Sequence, residues 1–410
     1  MQNSTQYDDL EAQIAAVEQE LRQWPGIFRA KLGLLTLLSC LIIFGCYFLW
    51  DLVIVNFGVA IGLVFSNAHA RYFEFSAYAA PIVALYTLFT FNPFRAFNQP
   101  KGHELTAREY PQLFAEIKQL NQRHKAPRIH KIMLIHSGTA GVSLVSRFTF
   151  WGWHQPTLIL GLEQLLVMSE EEMRCVLAHE WGHLSGSDEQ LYTKTGIVLM
   201  YINFLFTVLE KYKSNAPLRL LNWLNAMLNI YVSTLRRHSE YLADATSVSL
   251  TDKKIAAESL VKASVFSTWL ADYYWEPLFE LTRILPNPVA SPYKDLQSFL
   301  QDYRFTPEEL DAKIKQALLL KPDLFASHPS LTERLTAMQA TPAFPELNQL
   351  SAAEAWFGER FDELITTMDK HWQESYSSGW IKLHQSNQSS HLAQEGFKKD
   401  SVGNYFCEKP

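Results

Sequence analysis

Only four cysteines occur in 410 residues, and no two form a C-x-x-C pair. That scarcity excludes a disulfide-stapled fold and a metal site built from thiolates. The C-terminal Cys407-Glu-Lys-Pro lacks the two aliphatic residues of a prenylation box. An excess of positive charge is also missing. Thirty-six Lys and Arg stand against 42 Asp and Glu, a net charge of −6, which gives nucleic acid no electrostatic footing as a partner. Charge of either sign is absent from Leu32 to Trp50, a run long enough to cross a bilayer core, which takes about 20 residues.

A second apolar run covers 75–91, broken by Pro81, and a shorter one covers 52–65. The reading is a two-pass membrane anchor with spans near 32–50 and 75–91, and with 52–65 lying at the membrane surface. The polar leader is too long and too acidic for a cleaved signal peptide. Arg22, Arg29 and Lys31 precede the first span; Arg95, Lys101 and Arg108 follow the second. The positive-inside rule then places both ends on the cytoplasmic side of a bacterial inner membrane or an equivalent cytoplasm-facing one. The expected division is a membrane anchor over 1–94, a folded domain over 95–345, and a helical segment with a polar tail over 346–410. The tail from about 385 is expected to be poorly ordered.

Beyond the anchor, the pattern predicts a helix over 106–125 capped by Thr106, and a strand over 131–135. A strand over 142–150 and a return strand over 157–160 follow, then a helix opened by Ser169 with Glu170, Glu171 and Glu172 in its first turn. Apolar stretches at 195–209 and 217–235 read as a helical hairpin on or grazing the membrane surface.

That acid-led helix runs into His179-Glu180-Trp181-Gly182-His183. Four residues of helix return to the same face, so both imidazoles can reach one ion, and Glu180 can approach a water on it as general base. The ligand chemistry suits zinc. A glycine inside a helix costs about 1 kcal/mol against alanine, which implies close packing at Gly182. A catalytic zinc needs a third ligand and an open position. Glu240 and Asp244, four apart on a later helix, repel one another unless one binds a cation. Glu240 is assigned to the metal, and Asp244 to orienting a ligating histidine through its other ring nitrogen. The alternative for this pair is a solvated acidic face.

The H-E-W-G-H sequence followed by Glu240-Tyr241-Leu242-Ala243-Asp244 resembles the integral-membrane zinc metallopeptidases of the HtpX and CAAX prenyl protease type. The resemblance implies a mainly α fold: a zincin-like metallopeptidase domain with a small β-sheet, behind an N-terminal transmembrane helical hairpin. Ser327-His328-Pro329 with Arg334 is similar to the family's His-Pro motif, which implies that His328 and Arg334 contact the substrate carbonyl and the developing oxyanion. Thr139, Ala140, Gly141 and Val142 look like its substrate-binding edge strand, although threonine replaces a common asparagine. Asp188 also matches the HtpX pattern. The implied activity is hydrolysis of peptide bonds in membrane or misfolded proteins, with a protein or peptide as substrate and the lipid bilayer as the other partner. A prenyl-protein peptidase and a non-catalytic scaffold or chaperone that retains the metal fold are the alternatives.

Overall fold

The computed structural model describes residues 2–65, 82, 102–124, 127–146, 154–185, 188–211, 215–323, 325–326, 328–345, 350–394, 397–399 and 405–407. Among the described residues the chain is mainly helical with a small β-sheet, as expected; that sheet has four strands, and Phe397–Lys399 pairs separately with Tyr405–Cys407.

Two helices open it, α1 (Gln2–Gln23) and α2 (Pro25–Phe65). In α2, Pro25–Cys46 is long and apolar enough to cross a membrane, judged by length and composition. Residues 52–65, expected to lie apart at the surface, instead continue the same helix. No proline or polar cluster interrupts the apolar sequence there, so the backbone keeps its i to i+4 bonds. At 41 residues, α2 is about 60 Å long, roughly twice a bilayer's hydrocarbon thickness. The expected second span at 75–91 lies outside the described residues, Ile82 apart.

The sheet has the order β1-β2-β4-β3, from strands β1 (His103–Leu105), β2 (Lys131–Ile135), β3 (Gly141–Ser146) and β4 (His154–Gly161). Strand β3 pairs antiparallel with β4, Gly141 opposite Ile159, and its other side is a sheet edge. Alternation in β2 buries Ile132 and Leu134 against α3 (Pro111–Arg123), whose Leu113, Ile117 and Leu120 face the sheet core. Helix α3 starts at Pro111, not at the expected Thr106. The Thr106 hydroxyl is spent on Glu109 in the preceding turn, and Pro111 suits a first helical position because it has no N–H to satisfy.

After the short α4 (Leu162–Val167) comes α5 (Glu170–Ser185), which carries the H-E-x-x-H residues. Its start is closed reciprocally. Glu172 N–H donates to Ser169 Oγ, and Ser169 N–H donates to Glu172 Oε2 at 2.7 Å. Glu172 lies in the first turn as expected, and it is also buried and paired with the equally buried Lys262 at 2.8 Å.

Helices α6 (Glu189–Lys211) and α7 (Asn215–Leu250) pack on each other and on α1 and α2. Phe28, Leu32 and Ile43 of α2 meet Val198, Ile202, Leu228 and Tyr231 in one apolar cluster. Asp188 ties the start of α6 to Arg29 through two bonds of 2.6 and 2.9 Å. Helix α8 (Lys253–Leu270) follows, with Asp252 as its cap, then a π turn (Ala271–Trp275) and α9 (Glu276–Glu280). The remaining helices are α10 (Pro292–Asp302), α11 (Pro307–Leu319), α12 (Leu331–Met338), α13 (Ala352–Phe357) and α14 (Phe361–Gln394). The last of these carries regular structure past the expected disorder boundary at 385, to Gln394. Trp372 and Trp380 seat it in the core, and Trp380 donates to Leu285 O.

Candidate metal centre

Helices α5 and α7 cross at Gly182. A Cβ there would stand 2.6 Å from Ala243 Cα and 3.0 Å from Thr246 Cβ, so only glycine lets the two backbones approach this closely. The crossing lies between His183 on one helix and Glu240 and Asp244 on the other, and it sets their separation.

Three potential ligand atoms converge. His179 Nε2 and His183 Nε2 are 3.2 Å apart. Glu240 Oε2 lies 3.4 Å from His179 Nε2, and Glu240 Oε1 lies 3.3 Å from His183 Nε2. His179, His183 and Glu240 can together hold one metal ion. For metal–ligand bonds of about 2.0–2.1 Å, a tetrahedral site has ligand–ligand edges of about 3.3 Å, close to these three distances. The Glu240 carboxylate is fully buried, and neither of its oxygens has a well-aligned hydrogen-bond donor among the described residues. A bare buried carboxylate is expensive unless a cation meets it. The electrostatics agree. Burial pushes Glu240 toward protonation, but the imidazoles of His179, His183 and His328 hold it well below the usual carboxylate range. Burial likewise pulls His179 down, but Asp244 and Glu240 outweigh it and hold the imidazole up to about 9.

Each histidine is oriented through its other ring nitrogen. His179 Nδ1 is 2.9 Å from Asp244 Oδ1, and His183 Nδ1 is 3.0 Å from Ser239 Oγ. Asp244 is in turn gripped by Arg334, whose Nε and Nη2 donate to its two oxygens at 2.8 and 2.6 Å, so the guanidinium expected at the substrate carbonyl and oxyanion is engaged with Asp244. Arg334 comes from α12, where Ser330 and Glu333 form a capping box that starts the helix just after His328-Pro329. His328 Nδ1 lies 3.0 Å from Glu240 Oε2. On the opposite flank, Arg236 Nε is 3.5 Å from Glu240 Oε1, and its guanidinium stacks over Tyr192 at 4.8 Å.

A cavity of about 330 Å³ adjoins the cluster. Glu180, Thr139, Ala140, Gly141, Val142, His328 and Arg334 all line it. Every residue assigned a site role from the sequence therefore faces one space, Gly141 and Val142 from edge strand β3 and Thr139 and Ala140 from the loop before it. Thr139 has its hydroxyl 3.0 Å from Ser137 Oγ. Gly161 makes room beneath that loop, since a Cβ there would meet Ser137 O at 2.2 Å. Asp188 lies elsewhere, bound to Arg29. Sequence reading missed Ser239 and Arg236. Arg236, four residues before Glu240, shares its face, and that spacing is a signal that could have found it; Ser239 is adjacent to Glu240 and meets His183 only through the helix crossing. The arrangement offers a cation site with a neighbouring carboxylate, an imidazole and a strand edge. These are the parts a hydrolytic attack on a backbone carbonyl requires.

The sequence model of peptidase family M48 matches residues 150–341, a stretch that includes both histidines, Glu240, Asp244, His328 and Arg334 but begins after the residues of β3. No curated protein and no solved structure matches the chain.

Proposed function

We propose that the chain, whose residues 150–341 match the sequence model of peptidase family M48, is a membrane-anchored, zinc-dependent endopeptidase. The observation that carries this reading is the convergence of His179, His183 and Glu240 beside Glu180 in a cavity bordered by a sheet edge. The two imidazoles and the carboxylate would hold the ion. Zinc held there supplies a Lewis acid, which polarises a carbonyl and brings the pKa of water toward about 7.

The chain's own groups do the rest. Edge strand β3 and the loop before it pair with an extended substrate and align its backbone in the cavity, which suits cleavage within a chain. Glu180, one residue from His179 and facing the same cavity, takes a proton from the attacking water and passes it to the leaving amine. His328 donates toward the oxyanion from the other wall. Arg334 keeps Asp244 charged and aligned, and so keeps Nδ1 of His179 protonated and Nε2 turned toward the metal. Substrates of the membrane or misfolded class fit an extended-chain binding mode that reads backbone.

Anchoring is supported by Pro25–Cys46. One stripe of that segment docks on α6 and α7, while Leu34, Leu37 and Leu41 are left exposed. Arg22, Arg29 and Lys31 before the first apolar run, with Arg95, Lys101 and Arg108 after the second, favour a cytoplasmic catalytic domain behind a two-pass anchor.

The test uses the full chain in detergent. Glu180→Gln should retain one zinc per chain and lose cleavage of unfolded casein, while Glu240→Ala should lose the zinc. A zinc-loaded Glu180→Gln protein that still cleaves would overturn the assignment.

A further inference from the structure

The cavity does not end at the metal cluster. It reaches Cys175 and Val176 along α5 and Ala256 and Ala263 of α8, and Gln164 of the short helix α4 lines it as well. We infer that Gln164 is a specificity-determining residue: its carboxamide selects substrates that place an uncharged hydrogen-bonding side chain, Asn or Gln ahead of Ser or Thr, in this cavity. The inference rests on the peptidase reading above and names the substrate class that reading leaves open.

Three observations carry it. The first is an unmet acceptor. Of the side chains that line the cavity, those of Glu240 and Gln164 carry buried oxygens with no hydrogen-bond partner among the described residues. A cation answers Glu240. Gln164 Oε1 is left over, and at 8% exposure of the residue bulk water does not compensate it. The second is the local sequence. Helix α4 buries Leu162, Leu165 and Leu166 beside Gln164, so a leucine at 164 would suit the packing without leaving a polar atom unmet. The adjacent Glu163 does not meet it either, since Glu163 Oε2 accepts from Trp275 Nε1 at 3.0 Å. The third is that other polar groups of the cavity are engaged. Ser247 Oγ donates to Cys175 O at 2.8 Å, Ser259 Oγ donates to Ala256 O at 2.9 Å, and Asp244 pairs with Arg334.

The chemistry of an amide sets the class of substrate. It is neutral, so an ammonium or carboxylate buried against it would give up its water for one neutral bond, which is the costly case. An aliphatic group would leave the acceptor unmet. A hydroxyl supplies one bond. A second carboxamide donates at one end and accepts at the other, and so can return both of the bonds that Gln164 offers.

The experiment maps cleavage of a denatured protein mixture by the full-length, zinc-loaded enzyme in detergent, with the cut sites read by mass spectrometry. One position close to the cut should be enriched in Asn, Gln, Ser and Thr over Leu, Val, Asp and Lys. Gln164→Leu should lower the ratio of kcat/KM for Asn over Leu peptides at that position by at least tenfold, because a site built around a hydrogen bond strongly rejects the analogue lacking it. If that variant does not fold, Gln164→Met carries the same expectation. A second readout does not depend on hydrolysis. In a fluorescent peptide series with the test residue at successive positions, the zinc-loaded Glu180→Gln protein should bind Asn at one position at least tenfold more tightly than Leu or Asp there, and adding Gln164→Leu should erase the difference. Leu favoured over Asn at every position around the cut, equal binding of the Asn and Leu peptides, or an equal loss for both in Gln164→Leu would overturn the role of Gln164. Absence of all cleavage by the wild-type enzyme, with the binding preference intact, would overturn the peptidase reading and leave that role standing.

Discussion

Gly182 of α5 lies against Ala243 of α7 so closely that a single methyl group cannot be placed between them. Helix propensity alone makes Gly182→Ala stabilising by about 1 kcal/mol. The contact reverses that sign, because a Cβ 2.6 Å from backbone must push the two helices apart. We expect Gly182→Ala to unfold at a lower temperature and to bind zinc at least tenfold more weakly, measured by thermal melting and by competition with a chelator. A variant that melts higher and keeps its zinc affinity would show that this contact does not set the ligand spacing.

Asp244 connects Arg334 to His179. Asp244→Asn keeps the shape but removes the charge, leaving the buried guanidinium without its counter-ion and the imidazole without its strongest acceptor. Loss of such a supporting group costs about 10–100-fold in metal affinity. A chelator titration of Asp244→Asn and of Arg334→Gln should place both variants in that range. Either one binding zinc like the wild type would remove it from the supporting network.

The buried pair Glu172–Lys262 joins the start of the metal-bearing helix to α8. Replacing Lys262 with Met leaves a buried carboxylate alone and should cost about 3–5 kcal/mol. The double variant Glu172→Gln/Lys262→Met should recover part of that loss, since removing both charges is much less costly than removing one. Denaturant unfolding of the three proteins measures both quantities. Equal destabilisation by the single and double changes would contradict the argument.

His136 sets a pH dependence away from the metal. Its ring nitrogens lie 3.0 Å from Tyr293 Oη and 2.9 Å from His371 Nδ1. Burial, helped by His371, pushes it down to about 4 from an ordinary 6.5. The unfolded chain then takes up this proton first, so the contribution to stability is present above pH 6.5 and is lost as the pH falls toward 4. Its size is on the order of 2 kcal/mol after allowance for partial solvent screening. Nearby Asp369, which accepts from Tyr293 N–H, works in the opposite direction. Burial raises it to about 6, so its contribution is present below pH 3.8 and is lost as the pH rises through 6. Melting curves between pH 7 and 4 should show a shallower acid loss for His136→Asn than for the wild type, and a steeper one for Asp369→Asn.

Local physics made much of the site readable before any coordinates. His179 and His183 share a face because four residues of helix return to the same side, and Ser169 starts that helix because its hydroxyl meets an otherwise unpaired N–H. The short apolar run 131–135 marked a strand, and in the fold its burial alternates with the pleat. Other features were not legible in the local sequence. The sequence placed Glu172 in the first turn of its helix but could not show its partner, because Lys262, 90 residues away, is invisible to any local window. Thr106 does accept from Glu109 N–H as a cap would, but the turn it opens is a separate one and the helix begins at Pro111. The fold of 52–65 was likewise undecided by its composition, since short apolar runs read the same way as separate pieces or as continuations of a helix.

The sequence by itself determined the donor types and the helix that presents two of them, because both follow from side-chain chemistry and from a repeat of 3.6 residues. The tertiary structure decided that Glu240 completes the trio, that Ser239 and Arg236 stand beside it, and that the cavity continues toward α8. Those relations depend on how closely two helices approach at Gly182 and on which residues of a distant helix face the gap, and packing of the whole chain fixes both.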